Sequence, residues 1–103
     1  VEEVEMIPGR VSRLVEGAPI ASAATITLRD GEVFRITGST AINTINPPLG
    51  GRMNQTVWLI PTDGAVTLGT SGNILVGIAM AQNRITSLVY LSITGKWYIE
   101  SGV

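Results

Sequence analysis

The sequence predicts an all-β domain, built as a compact β-sandwich or barrel or as a stacked β-structure, that associates with copies of itself. Short runs rich in Ile, Val, Leu and Thr recur at roughly eight to sixteen residues and are bounded by Gly, Asn, Ser, Thr or Pro, which is strand punctuation. From Ala24 onward the apolar period is two, and no window carries a sustained helical period. Apolar residues make up 45% of the 103-residue chain and charged residues only 15%. A domain of this size buries roughly 60 to 65% of its unfolded surface, so a surplus of apolar surface remains for a second copy to cover.

Residues 1–19 differ in texture from the rest and are expected to form an N-terminal arm, with residues 20–103 as the β-domain. Glu2, Glu3, Glu5, Arg10, Arg13 and Glu16 lie here among the breakers Pro8-Gly9 and Gly17-Ala18-Pro19. Gly9 to Gly17 reads either as a short helix, with Val11, Leu14 and Val15 at i, i+3 and i+4, or as an extended arm, which the short window between breakers favours. The chain opens on Val1 rather than Met, as a fragment, a processed chain or a domain of a longer protein would.

Thr25–Leu28 and Glu32–Ile36 flank Arg29-Asp30-Gly31, and Asp-Gly between alternating runs predicts a β-hairpin. Thr37–Thr40 turns the chain into a strand over Ile42–Ile45. Asn46-Pro47-Pro48-Leu49-Gly50-Gly51 must leave the sheet, because neither Pro can donate to a ladder. A strand follows over Gln55–Ile60, then a turn at Pro61–Gly64, a strand at Val66–Leu68 and a turn at Gly69–Asn73. Ile74–Ala81 suits a buried strand or a buried helical turn; Gly77 and the flanking Asn73 and Asn83 favour strand. Thr86–Leu91 and Lys96–Ile99 close the chain as strands around the turn Leu91–Gly95.

Several of these words resemble a segment of trimeric fibre, spike and surface-decoration proteins of tailed bacteriophages. They are Ala41-Ile42-Asn43-Thr44-Ile45, Val57-Trp58-Leu59-Ile60, Ser71-Gly72-Asn73-Ile74-Leu75, Thr86-Ser87-Leu88-Val89-Tyr90 and Gly95-Lys96-Trp97-Tyr98-Ile99-Glu100, so the resemblance runs from Ile36 to Glu100. The turn at Leu91–Gly95 keeps the Gly such proteins have there and lacks the acidic residue many of them carry, so no trimer contact is carried over for that acid.

The resemblance implies a homotrimer and a non-enzymatic structural role in the virion. It would be a capsid decoration (cement) or head-fibre module whose partner is the major capsid protein or another virion protein. The alternatives are a receptor-binding tail-fibre or spike domain that recognises a host surface glycan, and a fragment of a glycan-degrading tail spike. Ile42, Ile45, Trp58, Ile74, Leu88, Tyr90 and Trp97 are the expected trimer or core contacts, and Ile7, Arg10, Arg13 and Leu14 the expected capsid-attachment positions of the arm.

Composition narrows the chemistry. With no Cys and no His, the chain has no disulfide, no thiolate or imidazole metal ligand and no Cys–His or Ser–His pair. No cofactor is expected. A net charge of -1 with scattered basic residues argues against nucleic acid, no leader is expected, and the sequence has no apolar run of the ~18 to 20 residues a membrane helix needs. A soluble, unanchored domain is expected. Asp30, Asp63, Glu32 and Glu100 are the carboxylates a glycan-cleaving pair would draw on, but Asp beside Gly in a turn ordinarily bonds nearby backbone amides. Gly69-Thr70-Ser71-Gly72 lacks the Lys and following helix of a phosphate loop and reads as a turn. Trp97 and Tyr98 are adjacent in a strand and must point to opposite faces; Trp97 is expected in the core or an interface, with Tyr98 on the other side.

Overall fold

A computed structural model describes residues 15–29 and 31–101. The protein is all-β, with strands β1 (Ile20–Ala21), β2 (Thr25–Thr27), β3 (Val33–Thr37), β4 (Thr44–Asn46), β5 (Gln55–Pro61), β6 (Val66–Leu68), β7 (Ile78–Met80), β8 (Thr86–Leu91) and β9 (Lys96–Ser101). A 3-10 turn, Pro48–Gly51, carries the chain out of the sheet where the two prolines predict a departure. No α-helix occurs among the described residues.

The first six strands wind as stacked coils. β1, β3 and β5 lie side by side and parallel in one sheet, with Ile20 opposite Ile36, Phe34 opposite Leu59 and Ile36 opposite Pro61. Between them the chain visits a second wall, where β2 and β4 pair in parallel with Ile26 opposite Ile45. An isolated parallel bridge from Ile42 to Leu68 brings β6 onto the same wall. Each coil therefore supplies one strand to each wall and stacks like residues on like, so apolar rows meet across the interior. The winding then reverses. β7 pairs antiparallel with β6, β8 antiparallel with β5, and β9 antiparallel with β8, completing a five-stranded sheet ordered β1-β3-β5-β8-β9.

The expected hairpin at Arg29-Asp30-Gly31 does not form. β2 pairs with β4 and β3 with β1 and β5, so the two flanking runs belong to different walls. Gly31 sits at φ +131° where an added Cβ would stand 2.7 Å from the Gly17 backbone, which marks a corner pressed against the preceding coil. An Asp-Gly pair specifies a sharp change of direction, and the strands it joins pair wherever burial of Ile26, Leu28, Phe34 and Ile36 is best served.

Two further expectations change. The Ile42–Ile45 strand is shorter and displaced: β4 begins at Thr44, and Ile42 makes only a bridge. Ile42 and Ile45 both point inward although three residues apart, which a straight strand of period two forbids and a break in the pairing at Asn43 allows, where the Asn43 and Thr44 N–H groups both donate to Ala24 O. Ile74–Ala81 divides into a bridge at Ile74, an exposed bend through Leu75 and Val76, and β7.

Val15 to Gly17, assigned by composition to the arm, runs beside β3. Glu16 bridges Val33, the Gly17 N–H donates to Val33 O at 2.8 Å, and Val15 O accepts from Glu32 and Val33. The Gly9–Gly17 helix-or-arm alternative otherwise falls outside the described residues.

Candidate interaction surface

Of the seven expected contact residues, six line the interior of the coils. Ile42, Ile45, Ile74, Leu88, Trp97 and Tyr90 are all buried within the one core cluster. Trp97 is the largest fully buried side chain; its indole N–H donates to Ile45 O at 2.9 Å, and its ring meets Tyr90 at a centroid distance of 5.1 Å and a tilt of 56°. Asn73 completes this cluster by bonding both the N–H and the C=O of Ile45, acting as one rung of a ladder. Gly72 lets it do so, because Thr44 and the backbone of Asn43 occupy the space a Cβ would need. These residues hold the fold together. Ile7, Arg10, Arg13 and Leu14 lie outside the described residues.

Trp58 is the exception. It alternates with Val57 and Leu59, which point inward, and so stands half-buried on the outer face of the five-stranded sheet. Register places its neighbours. Trp58 is opposite Val33 on β3 and Ser87 on β8; Ile60 is opposite Arg35; and Thr56, Val89 and Tyr98 form a row across β5, β8 and β9. Leu91 lies beside Lys96. Val33, Trp58, Ile60, Val89, Leu91 and Tyr98 are each half-buried, and no described element packs over them. Leu75, which follows the bridge from Ile74 to Trp97, extends the patch past β9 and is 50% exposed. The centre of the sheet is apolar on both faces.

Trp58 is among the contacts expected from the sequence, whereas Val33, Ile60, Val89 and Leu91 are not. A signal existed. Val57-Trp58-Leu59-Ile60 and Leu88-Val89-Tyr90-Leu91 are unbroken apolar runs, the pattern of strands covered on both faces, whereas a solvated outer face would alternate with polar residues.

Glu16, Asp63 and Glu32, carboxylates around this sheet, have structural partners. Glu16 pairs with Arg35 at 2.7 Å on the β1–β3 side, with both side chains about half exposed. Asp63 accepts the Gly38 N–H at 2.8 Å and Glu32 the Val15 N–H at 3.0 Å, so each steadies a turn between coils. Asp30 lies outside the described residues. Among the described residues no three His, Cys, Asp or Glu side chains converge as a metal cluster. A recess of about 260 Å³ opens where the first coil ends, lined by Ala18, Pro19, Ile20, Thr27, Arg29 and Phe34. Among the described residues no carboxylate lines it. Gly69–Gly72 forms the bend before Asn73, with no helix after it. No helix among the described residues is long and apolar enough to cross a membrane, which leaves strands out of account.

Comparison of the chain with protein-family models, curated proteins and solved structures finds no match.

Proposed function

We propose that this chain is a non-enzymatic structural module that assembles as a homotrimer on the surface of a tailed-phage virion, decorating the capsid or forming part of a head fibre. The observation that carries the self-association is the apolar outer face of the five-stranded sheet, centred on Trp58 and Ile60 of β5. A sheet face of this composition that no described element covers costs solvation free energy in a monomer, and a second protein surface would cover it. The resemblance of the Ile36–Glu100 words to trimeric phage proteins supports the number three and the virion setting. The arm, with Ile7, Arg10, Arg13 and Leu14, is assigned to attachment on the major capsid protein or another virion protein; charges and breakers suit a segment that orders against a partner.

Trp58→Glu, with Val89→Glu as an independent variant, tests the self-association. Both side chains stand on the outer face, so each variant keeps a β-type circular dichroism spectrum and sediments as a monomer. A variant that folds and keeps the wild-type oligomer mass removes the sheet face from the interface.

A second reading rests on the same face. Trp58 and Tyr98 both project from it, and aromatic rings on one flat surface can stack on sugar, as a receptor-binding fibre domain would require. In that case the wild-type chain is retained on a glycan array and Trp58→Ser is not. The structure offers less to the glycan-degrading alternative, which needs two carboxyl groups facing each other at roughly 5 to 9.5 Å across a groove.

A further inference from the structure

The outer face has charged margins, and their heights along the strands are set by register. On the β3 side Arg35 stands beside Ile60, one outward-facing residue beyond Val33, which is level with Trp58. On the β9 side a bulge leaves Glu100 without a cross-strand partner and exposed, between Ile99, opposite Leu88, and Ser101, opposite Ser87; Ser87 is itself level with Trp58. Arg35 and Glu100 therefore lie at opposite margins of the sheet, offset by two to three residues, about 7 to 10 Å along the strand. A guanidinium and a carboxylate on their flexible stems together span such an offset.

Resting on the self-association reading, we propose that a second copy of this chain seats head to tail on this face. The β9 margin of one copy meets the β1–β3 margin of the next, and Glu100 pairs with the neighbour's Arg35, which it shares with that neighbour's Glu16. Head-to-tail contacts close into rings, here of the three copies proposed above. β5 is the middle strand of the five, so Trp58 and Ile60 then face the common axis while the margins make the contacts between neighbours.

The test is charge exchange in the full chain, read by sedimentation equilibrium. Arg35→Glu sets like charges together and weakens association by about ten-fold or more, as does Glu100→Arg. The double variant, Arg35→Glu with Glu100→Arg, restores the wild-type mass. Circular dichroism checks that each variant folds; the Glu16–Arg35 pair is exposed and its loss costs the monomer little. A wild-type oligomer that neither single variant weakens, or that the double variant fails to restore, overturns the head-to-tail pairing and leaves self-association standing. A wild-type dimer also overturns it, because a two-fold dimer is not head to tail. A wild-type monomer, whether or not it binds glycan, overturns both.

Discussion

The side-chain amide of Asn73 brackets the main chain of Ile45 from 28 residues away: Oδ1 accepts the Ile45 N–H at 2.9 Å, and Nδ2 donates to the Ile45 carbonyl at 2.7 Å. The main chain of Asn73 accepts the Trp97 N–H at 2.8 Å, so one residue ties β4 to β9. Asn73→Ala leaves a part-buried N–H without its acceptor and a carbonyl with one donor fewer. The expected loss is about 2 to 3 kcal/mol. Asn73→Asp keeps the acceptor but sets a carboxylate against the carbonyl, and is expected to destabilise at least as much. Urea midpoints for both variants check this, and a change under about 0.5 kcal/mol in either would remove Asn73 from the stabilising set.

Trp97 is the larger contributor. Its ring is fully buried, and its N–H shares the Ile45 carbonyl with Asn73. Trp97→Ala is expected to cost about 3 to 5 kcal/mol through the cavity it leaves. Trp97→Phe retains an aromatic ring against Tyr90 and leaves the Ile45 carbonyl one donor, so its loss is smaller. Thermal unfolding distinguishes the two, and equal losses would show that ring volume contributes less than the hydrogen bond.

Thr86 makes the opposite prediction. It lies opposite Leu59 on the inner face, fully buried, and its hydroxyl has no hydrogen-bond partner among the described residues. Thr86→Val removes the unsatisfied group at nearly the same volume and is expected to stabilise by about 1 kcal/mol. A rise of several degrees in melting temperature is the expected reading. A fall would mean that the hydroxyl is paired in solution.

Where the chain forms strands was largely legible; which strands meet was not. Val66–Leu68 and Thr86–Leu91 match their expected bounds, and β5 and β9 run one and two residues past theirs, because local apolar runs between Gly, Asn and Pro decide strand existence. The β8–β9 hairpin was also readable, since Leu91–Gly95 is a short turn closed by Gly95 N–H donating to Leu91 O at 2.9 Å. At Asp30-Gly31 the same local logic misled. A turn signal cannot register that Gly31 packs on Gly17 of the preceding coil and that β3 pairs with strands on either side of it. The Asn73 bracket left no local mark either, because its partner is distant in sequence and only the fold brings them together. The outer face was legible in principle from the unbroken apolar runs at Val57–Ile60 and Leu88–Leu91.

The most direct test of self-association through the outer sheet face is the native mass of the full chain at micromolar concentration. The expected species is a trimer, about three times the 10.9 kDa chain, that Trp58→Glu converts to folded monomers. A wild-type species that remains at 10.9 kDa across the concentration range would contradict it.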